Sequence, residues 1–289
     1  MQNSITGTSS VSAEQNIAVQ AARLRRRKWL LQYLPFFSTP IALLLLVGLW
    51  QLYTATDARS KYIIPAPALV WDQIVNFPND PKFVSNTWQT IYETLLGFAF
   101  ATLVGVVLGF IVAKSVILER ILNPFIIASQ VVPKIALAPL FILIWGFNSI
   151  PNVVTAVLLS FFPLLSNVVL GVKSVEEGKH DLMNSLGAGW WSRIWHVELP
   201  FSLPYILTGM EVGIILALIG AVVGEYLNPN GGLGAVIVQS LNAFQLDKLY
   251  AAIVILTIIG FICYALLVGA RRFLIPWHET GQTIRRETM

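Results

Sequence analysis

Long apolar runs alternate with short polar ones along most of this chain. Six of the runs reach the length of about 20 residues that a helix needs to cross a bilayer: 36–55, 91–113, 122–145, 152–171, 205–225 and 251–270. Backbone groups in lipid must all be bonded within the segment, so each run is expected to be helical. Two runs carry small residues at every fourth position: Gly97, Ala101, Gly105, Gly109 and Ala113 in the second, and Gly209, Gly213, Ala217 and Ala221 in the fifth. Such ridges let helix backbones approach closely, serving either plain packing or faces that slide. The third run contains Pro124, Pro133 and Pro139. Each interior proline removes a backbone donor and crowds the preceding turn, which predicts a kinked or broken helix. Freed carbonyls at membrane depth require protein or a water-filled cavity around them, making Pro133, Lys134 and Pro139 candidates for the lining of a pathway.

Between the fourth and fifth runs lies the longest internal polar segment, 172–204. Leu182, Met183 and Leu186 fall on one helical face. After Gly187 and Gly189, Trp190, Ile194 and Val197 recur at spacings of four and three, beside Trp191 and Trp195. Two short helices meeting at an angle at the glycines are expected, presenting an apolar, aromatic knob. Another turn, Asn228-Pro229-Asn230-Gly231-Gly232-Leu233-Gly234, precedes an apolar stretch ending at Phe244 that is too short to span. That stretch is expected to lie at the membrane surface or to dip back as a gate, with Gly231, Gly232 and Gly234 at its root.

Charge orients the pattern. With the N-terminus inside, the inside segments hold Arg23, Arg25, Arg26, Arg27, Lys28, Lys114, Arg120, Lys173, Lys179, Arg193, Arg271, Arg272, Arg285 and Arg286. The outside segments hold only Arg59, Lys61, Lys82 and Lys248, and Lys134 falls within a run. Short cytoplasmic loops retain Lys and Arg, so both termini and the 172–204 loop are assigned to the cytosol. The organisation expected is a cytoplasmic tail 1–35, a membrane domain 36–275 and a cytoplasmic tail 276–289. A composition 56% hydrophobic and 12% charged agrees with bilayer as the main solvent. The net charge of +4 then reflects topology, and no interleaved basic and aromatic patch marks a nucleic-acid surface.

Intramembrane charges pair with one another or face a solute. Lys134 therefore has two readings, an ion pair with Glu93, Glu225 or Glu211, or attraction of an anionic solute. The single cysteine, Cys263, excludes a disulfide within the chain. His180, His196 and His278 lack ligand spacing, no metal site is expected, and no Ser-His-Asp arrangement or Gly-x-x-x-x-Gly-Lys loop is present. No catalytic residue is assigned.

The segment Asp181-Leu182-Met183-Asn184-Ser185-Leu186-Gly187, then nine residues, then Val197-Glu198-Leu199-Pro200, resembles the EAA loop of bacterial ATP-binding-cassette (ABC) importer permeases. That pattern is Glu-Ala-Ala, three residues, Gly, nine residues, Ile-x-Leu-Pro. Here Asp181, Leu182-Met183 and Val197 depart from it, while Gly187, Leu199 and Pro200 keep it. Val132 to Leu140, the Gly-Gly-Leu-Gly turn and Leu203 to Gly209 are similar to the permeases for sulfonates, taurine, nitrate, bicarbonate and pyrimidine precursors, a resemblance covering about residues 85–275. It implies the type I importer permease fold with six transmembrane helices in the bacterial inner membrane. It also implies two cytoplasmic ATPase subunits carrying ATP and Mg, a second permease copy as homodimer partner, and a periplasmic or lipid-anchored solute-binding protein. Asp181, Leu182, Met183, Leu186, Gly187, Trp190, Leu199 and Pro200 would meet the ATPase, and the solute would be a small oxyanion or sulfonate. A thiamine-precursor pyrimidine is the alternative within the class. The alternative outside it is an ion-coupled secondary transporter using Lys134 with Glu93 or Glu225.

The charge asymmetry yields a direct test of orientation. In a Cys263→Ala background, cysteines at Asn79 and Asn230 are expected to react with an impermeant thiol reagent in intact cells, and one at Ser192 only after permeabilisation. Labelling at Ser192 in intact cells would reverse the assignment.

Overall fold

The computed structural model describes residues 38, 40–56 and 64–276. The expected tail 1–35 lies outside them, as do the polar segment 57–63 and all but the first residue of the expected tail 276–289. The chain divides into two compact units, Met1–Ala68 and Leu69–Met289. Within the first, Pro40–Thr56 forms an apolar helix, α1. The next helix, α2 (Pro67–Asn76), begins at the junction and runs into a short 3-10 turn, Phe77–Asn79.

The second unit is a bundle built on α3 (Pro81–Lys114), α6 (Ser149–Lys173), α9 (Leu199–Leu227) and α11 (Leu246–Leu274). Counting the run Trp190–Leu227 as continuous with α9, these four are long and apolar enough to cross a membrane. Their starts follow from local chemistry. Asp80 caps α3, its Oδ1 accepting from the Lys82 and Phe83 amides at 3.0 and 3.1 Å, with Pro81 in the first turn. The Lys248 ammonium, 2.8 Å from Asp80, together with those amides holds the Asp80 carboxyl below the usual carboxylate range. Asn148 caps α6 through the Ile150 amide at 2.8 Å.

The third apolar run is broken. It forms α4 (Val116–Val131) and α5 (Ala138–Trp145), joined through a 3-10 turn, Lys134–Leu137, with a bend of 85° between the helical pieces. Val132 is extended because the proline that follows disfavours helical backbone there. Pro139 sits in the first turn of α5, where its missing N–H does no harm. If this pair counts as one span, the described residues contain five.

Both small-residue ridges meet α6. Gly97, Gly105 and Gly109 of α3 lie against Ala156, Leu164 and Val168, while Gly209 and Gly213 of α9 lie against Asn167 and Leu164. Gly220 and Gly224, outside the four-residue repeat read from the sequence, come closest to the α6 main chain. A Cβ at Gly220 would stand 2.6 Å from the Ala156 Cα, and one at Gly224 2.7 Å from the Asn152 Cα. Away from this core the surface is apolar, with Leu143, Phe261 and Leu266 exposed, as hydrocarbon solvent permits.

The short apolar stretch before α11 forms α10 (Leu233–Asn242). Leu233, Gly234, Ala235, Val236, Ile237 and Ser240 are buried, and the helix packs on α3, α9 and α11. The stretch is thus packed against the rest of the bundle.

Because the neighbours of Gly220 are backbone atoms, they cannot rotate away. Gly220→Ala is expected to lower the yield of folded protein through overpacking, costing about 1–3 kcal/mol. Gly269→Ala, where a Cβ would meet nothing within 4 Å, should leave yield unchanged. Size-exclusion profiles of the two variants in mild detergent make the comparison, and equal profiles would show that α9 does not need this approach.

Candidate functional site

At the end of the bundle carrying the last turns of α3 and α6, the polar loop forms α7 (Glu177–Ser185), α8 (Trp190–Arg193) and a π-helical turn, Ile194–Glu198, leading directly into α9. Gly187 turns the chain with φ +67°. Its amide donates to the Asn184 carbonyl, and the Ala188 amide to the Met183 carbonyl, both at 3.0 Å. This is a Schellman cap, which needs a left-handed residue at the glycine position. Arg193 Nη1 donates to Asn184 Oδ1 at 2.8 Å, tying α8 back to α7.

The expected sites along this loop divide by exposure. Asp181, Leu182, Leu186 and Trp190 are exposed and Met183 is half-buried, while Leu199 and Pro200 are half-buried at the start of α9. Leu199 packs against Val168, Val172 and Ile206 in the core. Trp190, Trp191 and Trp195 form a contiguous row, with ring centroids 5.7 and 6.0 Å apart, and all three are more than half exposed. The periodicity placed Val197 with this face, but it is buried instead, since the π-turn rotates it inward.

Two residues that sequence reasoning missed anchor the loop. Lys114, the last residue of α3, is 2.9 Å from the buried Glu198 carboxylate, and its ammonium stands 4.9 Å from the Trp190 ring centroid. Their signal was available in part, as Glu198 lies inside the Val-Glu-Leu-Pro element, but nothing in linear spacing pairs it with Lys114.

The five pathway candidates separate into three places. Pro133 and Lys134 line a cavity of about 610 Å³ with Gln130, Leu159, Pro163, Ser166 and Asn167. That is within the usual range of about 300–1,000 Å³ for small-molecule sites. The Lys134 ammonium lies 4.8 Å from the Phe162 ring centroid, and Ser166 Oγ is buried without a hydrogen-bond partner. Pro139 sits apart from the cavity lining, in the first turn of α5.

Glu93 and Glu225 occupy the opposite end, wholly buried in a polar cluster between α3, α6, α9 and α10. Glu93 accepts from Gln89 Nε2 at 3.0 Å and Asn152 Nδ2 at 2.9 Å. Glu225 accepts from the Gly234 amide at 2.7 Å. Glu211 is engaged by Arg271 at 3.2 Å. The ion pair read for Lys134 is therefore not formed with any of the three acids named for it.

Gly231, Gly232 and Gly234 sit at this cluster. The Gly232 amide donates to Asn86 Oδ1 at 2.9 Å, and a Cβ on Gly232 would overlap the Glu225 carboxyl. Among the described residues no group of three or more His, Cys, Asp or Glu could hold a metal ion.

Known proteins match this geometry and sequence. The family described as "Binding-protein-dependent transport system inner membrane component" matches residues 105–277. A formylaminopyrimidine transport permease, ThiX, of Halalkalibacterium halodurans is 30% identical, covering 82% of this chain and 94% of the relative. A riboflavin transport system permease, RibX, of Chloroflexus aurantiacus is 31% identical over 91% and 97% of the two chains. A taurine transport system permease, TauC, of Escherichia coli is 29% identical over 83% and 89%. A chain from an inward-facing structure of the MetNI methionine ABC transporter shares the fold with a TM-score of 0.60 at 19% identity, covering 68% of this chain and 98% of that one. The matched residues include the Gly187 loop, the Gly220 and Gly224 approach and α10. The chain accordingly belongs to the binding-protein-dependent transport system inner membrane components, as an ABC transporter permease of the multi-pass inner-membrane type.

Proposed function

We propose that this permease is the pathway-forming subunit of an ATP-driven importer of small oxyanions or sulfonates, worked through the loop around Gly187. The carrying observation is the exposed row of Leu182, Leu186, Trp190, Trp191 and Trp195 on a loop pinned at Gly187, Lys114 and Arg193. Such a surface suits docking into a cleft on a partner, where aromatic anchors bury large area while losing few rotamers. The partner in this reading is a cytoplasmic ATPase subunit that binds ATP and Mg. Two copies of the chain meet two such subunits, and a binding protein delivers solute on the other side. The absence of any phosphate-cradling glycine loop in the sequence supports a separate ATPase.

Six spans with both termini in the cytosol complete the reading. The 17-residue α1 is at the short end of spanning length, and with the broken α4–α5 pair and four long helices it makes six. On this topology α7 and α8 face the cytosol, and α10 lies toward the outer face.

The solute class rests on Lys134. A cation beside a roomy cavity, with a buried hydroxyl but no carboxylate partner among the described residues, complements an anion. A neutral heterocycle is the second reading, favoured by the 30% and 31% identity to permeases named for formylaminopyrimidine and riboflavin transport.

Two expected outcomes test these assignments. Gly187→Val places a β-branched residue at φ +67°, a strained position even though the space around it is open. It should leave the permease in the membrane but abolish co-purification of the ATPase and uptake together, whereas normal values for both would remove the loop from coupling. Lys134→Met retains most of the aliphatic stem and should leave assembly yield unchanged. Loss of one charge-assisted contact, worth about 1.5–3 kcal/mol, corresponds to a roughly tenfold or greater fall in anion uptake, with ATPase activity retained. Undiminished taurine and nitrate uptake by the variant would remove Lys134 from solute recognition, whereas a wild type that takes up neither anion would favour the neutral-heterocycle reading.

A further inference from the structure

The two acids of the polar cluster are more than hydrogen-bonded neighbours of separate groups. Glu93 of α3 and Glu225 of α9 lie within hydrogen-bonding reach of each other, and both are shut off from solvent. The donors around them are neutral: Gln89, Asn152, Ser149 and Thr90 side chains and the Gly234 amide. Charged and titratable groups on the packed elements supply no cation. At the head of α3, Lys82 lines a separate pocket with Lys248. The only charged residue of α6, Lys173, is at the opposite end of that helix and engages Glu119, and α10 has no charged residue. Tyr226 of α9 adjoins Glu225, while at the head of α11 Asp247 accepts from Gln73 and Lys248 is held by Asp80.

Two carboxyl groups can share a hydrogen bond only when one of them carries a hydrogen, and two ionised carboxylates in contact without solvent repel strongly. A second observation points the same way. Glu225 Oε1 and Asn152 Oδ1 are buried acceptors with no protein donor. Asn152 is aimed into the cluster, because its amide nitrogen donates to Glu93. A bound hydrogen is what this excess of acceptors lacks.

We infer that Glu93 and Glu225 form a proton-binding site, holding one proton between them and carrying a single net charge. The remaining negative charge faces the start of α10. There the Gly232, Leu233 and Gly234 amides donate to Asn86, Thr90 and Glu225, where a helix N-terminus favours an anion. The proton thus lets α3, α6 and α9 close on α10 without placing two like charges in one desolvated pocket. This goes beyond the transport reading and does not depend on it, since the site belongs to the folded chain whether or not an ATPase docks.

Infrared spectroscopy of the full-length chain in lipid nanodiscs tests it. At neutral pH the wild type should show the carbonyl stretch of a protonated carboxyl, shifted in deuterated buffer and amounting to one group per chain. Glu93→Gln and Glu225→Gln should each lose the band, because a lone carboxylate among amide donors can ionise. Glu211→Gln, whose native carboxylate is paired with Arg271, should keep it. Absence of the band in the wild type overturns the inference without reference to any variant. A band that persists in both Gln variants overturns it as well, as does one that appears only on removing sodium, which would make a metal ion the occupant.

Discussion

Apolar surface gains almost nothing by exchanging lipid for another helix, so α3 and α9 are held on α6 by what close contact supplies: dispersion, and hydrogen bonds that only short distances permit. The glycines create that contact. With Ala156 and Leu164 of α6 facing small residues from both sides, the three helices form one tightly packed unit, and packed interiors deform poorly. The polar residues at the two ends of the bundle can then be placed accurately, because the helices carrying them cannot drift. Gly224 of α9 lies close against the main chain of Asn152 in α6, and the Asn152 side chain donates to Glu93 of α3, so three helices meet at that residue.

The same rigidity shapes how force would travel. The Gly187 loop does not hang from flexible linkers, for it enters α9 through an unbroken helical run, Trp190–Leu227, and is clamped to the end of α3 by Lys114 and Glu198. A partner pushing on Trp190 or Trp191 therefore acts on two helices of the packed unit at once. The π-turn at Ile194–Glu198 is the irregular step in that run, a geometry frequent at functional positions. By contrast α4 has no buried residue and α5 only Ala138. The arm that carries Lys134 is thus little buried by the rest of the chain.

Much of this was legible in the sequence where the controlling interactions are local. Pro133 dictates an extended Val132 and hence the break, and Gly187 stands where a helix must stop and turn. The long apolar runs announce their own helices. Features that depend on tertiary juxtaposition were not legible. A ten-residue apolar stretch reads the same whether it lies at an interface or packs into the protein, and only tertiary contacts, among them the acceptors that Asn86, Thr90 and Glu225 offer its first amides, bury α10. The ridge repeat identified α3 and α9 but not their common partner, because α6 contributes Ala156, Leu164 and Val168 as ordinary apolar positions. Likewise Glu93 and Glu225 looked like partners for a lysine, since sequence reveals opposite charges but not the 85° break in the segment between α4 and α5.

That misreading has a physical lesson about charge in this bundle. The described ion pairs place their cations in terminal turns, on Lys114, Lys173, Lys179, Lys248 and Arg271, where water or headgroups ease the desolvation that makes buried pairs costly. Deeper in the chain the opposite solution is used. Lys134 is left against an aromatic ring beside a cavity, and the two glutamates are packed with neutral donors and each other. Had these charges met, each would have cancelled the other at a fixed point of the core. Kept apart, the lysine leaves its charge beside the cavity between α6 and the α4–α5 break, while the acids face the start of α10. The interior charges are thus separated: one end of the bundle is locked by its own hydrogen bonds, and on the proposed reading the cavity by the α4–α5 arm is where a group of opposite sign would bind.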